Sequence, residues 1–396
     1  MAKPKLALIP ATQGSKLYSV LPADGVGDFT FSRGSAATRI NKDGLIETVA
    51  SGVSRLNYPM IDGKVVGCPS HLLEPSRSNL FPYSEDFENS DWTKNSGTTI
   101  TNNYAISPDG TLNAARYLGT GASGLGDKFT LSATEYTISF YVKSNTGQNQ
   151  YCRLIGDSTQ ISGDLLVTTE WQRIEFTFTA SGLADKTNGI FRDSNNNDID
   201  ILIWGAQLEQ GYPTSYIPTS GTTATRSAET ANNSGDASTF NDSEGVLMYQ
   251  IKPISLDGTH KRITLSDGTS NNRVIMGFDN NNNVIATVYD GSNQAILGGN
   301  YIGKDEMSKY ALKYKENDFA LWLNGFEVAT DSSGITFPNN TLNQLRFEDG
   351  NGGLDFYGNT KQIQYFDSAL NDSDLEKITS WTSFTDLANG QQYSIK

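Results

Sequence analysis

The sequence predicts an all-β protein, and three observations predict it. Asp-Gly pairs begin at Asp24, Asp43, Asp62, Asp109, Asp257, Asp267, Asp290 and Asp349, and Asn-Gly pairs at Asn188, Asn324, Asn351 and Asn389. Both pairs accept the positive φ that tight hairpins require. Between them lie short runs with period-two alternation or β-branched and aromatic enrichment, at 136–142, 171–179, 199–204, 245–251, 273–278, 284–289 and 319–323. Many short strands with frequent turns indicate sandwiches or jelly rolls. The composition agrees. Of 396 residues, 37% are hydrophobic, 19% are charged and 38 are glycine, a balance that suits turn-rich sheets rather than helix bundles.

Taken in order along the chain, residues 1–75 carry several Gly and Pro residues and read as loop-rich. They look too irregular for a free domain and are expected to dock on a partner or on the domain that follows. Their start, Met1-Ala-Lys-Pro-Lys-Leu-Ala-Leu-Ile-Pro, has an apolar stretch too short for a signal-peptide core and no small-residue cleavage site after it. That fits assembly inside a cell with release by lysis and fits an ordinary cytosolic protein equally well. Strands begin after Pro75. Residues 219–244 open with a run of small polar residues that cannot build a core, so they read as a linker or an extended crossing segment. The length predicts two or three domains, and no repeat of fixed period is present. One helix is expected at Asn371-Asp-Ser-Asp-Leu-Glu-Lys-Ile, where an Asn or Asp can cap and first-turn acids favour the helix dipole.

Charge and cysteine usage narrow the function. A formal net charge of -14 repels phosphate and argues against nucleic-acid binding. Two cysteines, Cys68 and Cys152, do not make a disulfide framework and read as buried free thiols. His71 and His260 have no metal-ligand spacing. No run of about 18 apolar residues predicts a membrane span. An enzyme is not expected. There is no Gly-x-Ser-x-Gly elbow, and a glycosidase needs two carboxylates about 5–10 Å apart. Glu316-Asn-Asp-Phe-Ala-Leu begins like the paired-acid strand of lectin-like glucanases but ends in Leu321. The Gly119, Gly121 and Gly124 spacing lacks a following helix and reads as a turn rather than a phosphate cradle.

The strands suggest binding residues. In Thr137-Ile-Ser-Phe-Tyr-Val-Lys, alternation puts Ile138, Phe140 and Val142 on a core face, and Thr137, Ser139, Tyr141 and Lys143 on the other. That second face meets solvent or a sugar, and a tyrosine ring there can stack on a pyranose. In Asp200-Ile-Leu-Ile-Trp-Gly-Ala-Gln-Leu-Glu the apolar run reads as a buried strand, Gly205 as a bulge or close approach, and Trp204 as core. Trp92 and Trp171 read as core too. Asn324-Gly325 predicts a hairpin with Trp322 two residues before the turn, packed in the core or, alternatively, holding a ligand. Three Asn/Asp-rich stretches, Asp193-Ser-Asn-Asn-Asn-Asp-Ile-Asp, Asp279-Asn-Asn-Asn-Asn and Glu348-Asp-Gly-Asn-Gly-Gly, offer oxygens to calcium or simply make turns. Asp193, Asp198 and Asp200 are the best metal candidates among them.

The stretch Asp28-Phe-Thr-Phe-Ser-Arg-Gly-Ser-Ala-Ala-Thr-Arg-Ile-Asn-Lys-Asp-Gly-Leu-Ile-Glu, followed by Arg55-Leu-Asn-Tyr-Pro and Cys68-Pro-Ser-His-Leu-Leu-Glu-Pro-Ser-Arg-Ser-Asn-Leu, resembles a segment of tailed-phage tail and virion proteins. Tyr83-Ser-Glu-Asp-Phe with Trp92, then Trp204-Gly-Ala-Gln-Leu-Glu and Thr214-Ser-Tyr-Ile-Pro-Thr, resemble the opening and closing of a carbohydrate-binding-module-like jelly roll. Lys309-Tyr-Ala-Leu-Lys-Tyr, Asn317-Asp-Phe-Ala-Leu-Trp-Leu-Asn-Gly and Phe366-Asp-Ser-Ala-Leu-Asn-Asp-Ser-Asp-Leu resemble a concanavalin A-like, laminin-G-like sandwich. The resemblance implies an irregular N-terminal docking segment at 1–75, a jelly-roll β-sandwich at 76–218, a linker at 219–244 and a concanavalin A-like β-sandwich at 245–396. It also implies a place in the phage virion, contact with other virion proteins and a homo-oligomer, with a trimer expected. Two roles follow: a tail fibre or tail-tip component that attaches to host surface polysaccharide, or a head fibre or capsid decoration protein with a purely architectural role.

Overall fold

The computed structural model describes residues 3–10, 18–61, 63–301, 303–304 and 306–381. The chain is all-β, with two sandwiches whose strand pairings are antiparallel and one α-helix among the described residues. The first sandwich stacks a five-stranded sheet, in the order Thr98–Ile106, Leu112–Gly119, Ile199–Gln210, Glu135–Ser144 and Gln172–Thr179, on a six-stranded sheet built around Gly124–Phe129, Lys186–Arg192 and Gln150–Gly156. Ile138, Phe140 and Val142 from one side and Leu125, Leu154 and Ile190 from the other are fully buried between the two sheets. Alternation thus delivers one face of each strand to the core.

The second sandwich faces a five-stranded sheet, centred on Asn272–Phe278, with a nine-stranded one centred on Gly358–Phe366 and Glu244–Pro253. The Asn324-Gly325 turn joins Phe319–Leu323 to Phe326–Asp331 as a two-residue hairpin, with φ of 49° and 90° at the two turn residues. The helix Asp372–Thr379 lies on the outer face of the nine-stranded sheet. The Asn371 side chain accepts a hydrogen bond from the Asp374 amide at its N-terminus, and Leu375 and Ile378 pack over Val246, Met248, Ala311 and Trp322.

Residues 1–75 dock on the first sandwich, as Thr38 donates to the Tyr216 carbonyl and Ile46 packs on Trp204, but they are not the irregular segment expected. Leu6–Ile9 pairs with Gly358–Phe366 on one side and Tyr18–Leu21 on the other, and Ser70–Leu73 also pairs with Gly358–Phe366 and carries Arg55–Asn57 beside it. Four N-terminal strands therefore complete the nine-stranded sheet. Leu6, Leu8, Phe29 and Leu73 are part of the second sandwich's core. Loop-like sequence hid these strands because each is only three or four residues long.

The proposed linker at 219–244 is corrected in the same way. Ala224–Arg226 pairs with Arg77–Asn79, and Thr230–Asn232 pairs with Thr30–Ser32. Arg226 and Glu229 are buried in a charge cluster with Arg33, Arg55 and Glu74. Arg33 contacts Glu229 at 2.7 Å, Arg226 contacts Glu74 at 2.9 Å, and Arg55 bridges Glu74 at 2.8 Å and Glu229. The segment is held by these paired buried charges and by Ala231 and Phe240, which are buried in the second sandwich's core. Burial alone would raise the Glu74 carboxyl; Arg226 and Arg55 outweigh it and bring it down to about 2. The two thiols also differ from expectation, since Cys152 is buried but Cys68 is exposed. Among the described residues, no helix is long and apolar enough to cross a membrane.

Candidate functional site

The outward face of the five-stranded sheet of the first sandwich holds the site. Thr137 and Ser139 on this face are buried, as are Gln207 and Glu209 opposite them. They are covered by the segment that follows the sheet. Glu209 accepts hydrogen bonds from the amide and hydroxyl of Thr214, and Gln207 accepts one from the Ile217 amide. Asn79 ties the same segment down, donating to the Ala206 and Ile217 carbonyls and accepting from the Leu208 amide. Half of the polar face predicted for solvent or sugar is therefore under protein.

The other half opens into a cleft of about 1120 Å³. Register explains which side chains reach it. Tyr141 pairs with Arg173 and Ser139 with Glu175, so Trp171, Arg173 and Glu175 share the Tyr141 face at period two. Lys143 lies one step further along the same face and also lines the cleft. The opposite wall comes from the N-terminal residues. The hairpin formed by Ala37–Ile40 and Ile46–Val49 presents Arg39, Asp43 and Leu45, and Met60 and Gly63 complete the rim. A Cβ placed on Gly63 would lie 3.8 Å from the Glu170 Cβ across the cleft. Ile254 and Asn359 of the second sandwich line it as well. Three parts of the chain thus meet in one concavity, a common location for ligand sites.

A bulge sets the aromatic wall. Ser139 faces Gln207 while Tyr141 faces Trp204, so Gly205 and Ala206 together oppose Phe140. Gly205 has φ of 61°, and a Cβ there would meet Tyr141 Cδ2 at 3.1 Å and Tyr216 Cε2 at 3.3 Å. The bulge moves Trp204 onto the outer face, where it is 1% exposed and packs with Tyr216 (4.5 Å between ring centroids), Ile46 and Ala114, with Tyr141 and Trp171 at the margin. Arg173 sits 5.7 Å from the Tyr141 ring centroid. It donates to Ser139 Oγ and the Thr214 carbonyl and approaches Glu209 at 3.8 Å. Burial raises the Tyr141 phenol, which the Arg173 charge partly opposes. Trp171 Nε1 donates to the Ile106 carbonyl, fixing the indole plane with its ring half-buried on the cleft wall. Tyr216 donates to Glu85, and burial together with the Glu85 charge raises its phenol well above the ordinary range.

The remaining sequence-derived candidates lie elsewhere. Trp322 is packed beneath the helix, 7% exposed, and its face of the sheet is covered by Leu375 and Ile378, so it cannot serve as a sugar platform. The aspartates do not form a calcium cage. Asp200 is engaged by Arg116 through two hydrogen bonds of 2.8 and 2.7 Å and by Asn145, while Asp193 closes its own loop by accepting from the Asn197 amide and side chain. Asp198 is exposed. Asp279 accepts from Asn281 and Asn283 in a turn, and Asp349 is paired with Arg262 and Arg273. Among the described residues, no group of three or more His, Cys, Asp or Glu side chains is placed to hold a metal. Sequence reading assigned Trp171 to the core. Its position at the start of the run 171–179, in phase with Arg173 and Glu175, was the available signal that it belongs to the polar face.

No protein-family model and no curated protein matches the chain. Solved structures that resemble it in part include the family-40 carbohydrate-binding module of the Ruminococcus gnavus IT-sialidase bound to α2,3-sialyllactose, at 19% identity and a TM-score of 0.32, over 36% of this chain and 86% of that one. Others are the family-22 module joined to the catalytic module of Clostridium thermocellum xylanase 10B complexed with xylohexaose (19% identity, TM-score 0.27, 34% of this chain and 28% of that one) and domain 4 of the Geobacillus stearothermophilus arabinanase AbnA in complex with arabinotriose (16%, TM-score 0.27, 43% and 83%).

Proposed function

We propose that this chain is a non-catalytic, glycan-binding component of a tailed-phage particle, a tail fibre or tail-tip protein that holds host surface polysaccharide in the cleft beside Tyr141 and Trp171. The observation that carries the binding reading is the cleft itself. It is a large concavity with two half-buried aromatic side chains on one wall and hydrogen-bonding and charged groups around them. Aromatic faces offer apolar contact to the C–H face of a sugar ring, and the flanking polar groups supply direction. The particle location rests on the ordered sequence resemblance across residues 27–92 and 204–219. In that setting a symmetric oligomer, a trimer in our reading, would present several clefts at once and raise avidity.

The test is a glycan array probed with the full chain, followed by competition for phage adsorption. The expected result is selective binding that falls at least tenfold in Tyr141→Ala and in Trp171→Ala, since truncating a central aromatic anchor commonly removes more than about 1.4 kcal/mol. Binding that is unchanged in both variants would remove the cleft from the account. The buried charge cluster, which joins the N-terminal residues to both sandwiches, favours a second reading as a rigid architectural element of the head. Electron microscopy of the particle separates the two, because a tail-tip position excludes the head role.

A further inference from the structure

Resting on the glycan reading of the cleft, we propose that its ligand is a glycan without acidic groups, either neutral or bearing amines, and that uronate-, sialate-, sulfate- and phosphate-rich polymers are rejected. The unpaired charges of the cleft lining favour such a ligand. Two of its cations are already answered. Arg39 pairs with Glu47 at 2.5 Å, and Arg173 is held by Ser139, the Thr214 carbonyl and Glu209. One of its carboxylates is answered as well, since Glu74 lies between Arg55 and Arg226.

What remains among the described lining residues is Lys143 against Asp43, Glu170 and Glu175. None of these four side chains has a hydrogen bond or ion pair within the described protein. The three carboxylates come from both walls. Asp43 sits in the turn of the N-terminal hairpin, Glu170 lies at the rim facing Gly63, and Glu175 lies on the sheet two residues from Arg173. Three negative charges against one positive leave an excess of two negative charges free to act on a ligand. The chain as a whole, at a net -14, adds a field of the same sign. Asp43, Glu170 and Glu175 are exposed around the cleft, and like charges there disfavour association before contact by repelling the approaching polymer. An amine-bearing sugar meets the opposite situation, and a neutral sugar is indifferent to the field.

The test is calorimetric titration of the full chain with three oligosaccharides of equal length: glucosamine oligomers, N-acetylglucosamine oligomers and galacturonate oligomers, each at low and high salt. The expected result is binding of a non-acidic oligomer at least tenfold tighter than the uronate, with glucosamine affinity falling as salt rises and N-acetylglucosamine affinity steady. The paired variant Glu170→Lys with Glu175→Lys should raise uronate affinity at least fivefold and lower that for glucosamine. Uronate binding equal to or tighter than both others, and still lost in Tyr141→Ala, overturns this inference while leaving the glycan cleft intact. No binding of any of the three, or binding indifferent to Tyr141→Ala and Trp171→Ala, overturns the glycan reading and this inference with it.

Discussion

At the scale of single residues, Gly205 shapes the aromatic wall of the cleft and Arg55 holds the buried charge cluster. Gly205 lets the backbone adopt φ of 61° and lets the Tyr141 and Tyr216 rings approach it. Gly205→Ala should cost about 1–2 kcal/mol for the left-handed conformation alone, read as a lower midpoint in urea denaturation. It should also weaken glycan binding, because the Tyr141 ring must move by some tenths of an ångström. Arg55 is fully buried and touches both Glu74 and Glu229. Arg55→Met leaves two buried carboxylates short of a partner and should cost about 3–5 kcal/mol; an unchanged denaturation midpoint would show that the cluster is not holding the modules. Tyr141 and Lys143 were legible as polar-face residues because strand alternation is a strict geometric rule. Trp322 was legible as core, whereas Trp171 was assigned there although its phase with Arg173 and Glu175 marks the polar face, and one sequence does not say which part of a sheet face another element covers. Arg33, Arg55, Glu74, Arg226 and Glu229 lie far apart in the chain, and nothing in their local sequence marks them as partners.

Among the elements, Glu135–Ser144, Gln172–Thr179 and Ile199–Gln210 of the first sandwich and Glu244–Pro253, Asn272–Phe278, Val284–Asp290 and Phe319–Leu323 of the second were readable from period two and glycine turns, whereas the six-stranded sheet of the first sandwich was not. The Asn324-Gly325 hairpin and the helix capped by Asn371 were readable from turn and cap chemistry. Asn371→Ala should lower stability by about 1 kcal/mol, measured by thermal denaturation, with loosened packing over Val246 and Met248. The short N-terminal strands were not legible; residues 219–244 were readable as a linker or an extended crossing segment, but their pairing was not. Their pairing partners are remote, such as Leu8 with Ile363 and Ala231 with Phe31, and a strand of three or four residues carries too little periodicity to declare itself. The Asp193–Asp200 stretch shows the opposite error, since oxygens that look like cation ligands are spent on Arg116, Asn145 and Asn197. Millimolar calcium and subsequent chelation should each leave the unfolding midpoint within about 1 °C; a calcium-dependent rise of several degrees would reinstate a metal site.

In the whole molecule, the N-terminal residues and the crossing segment join two sandwiches into one unit with a cleft at their meeting point. Acid should test that unit in two stages. Burial, with a contribution from Arg55, brings the His71 imidazole down to about 3 from an ordinary 6.5. The unfolded chain therefore binds a proton that the folded chain refuses, and the stability this group contributes is complete above pH 6.5 and is lost as pH falls toward 3. Glu74, held at about 2 against an ordinary 4.5, adds stability that is complete above pH 4.5 and is lost below it. Denaturation across pH should show a plateau above 6.5, a slope below it of about 1.4 kcal/mol per pH unit for the one proton, and a steeper fall below 4.5. His71→Phe, packed between Phe31 and Phe347, should remove the first slope and keep the second. The most direct test of the cleft is a crystal structure of the full chain with the oligosaccharide that binds it best. The expected result is a sugar ring against Tyr141 and Trp171, bounded by Arg39 and Leu45 of the N-terminal hairpin. A sugar bound on the second sandwich, with the cleft empty, would contradict it.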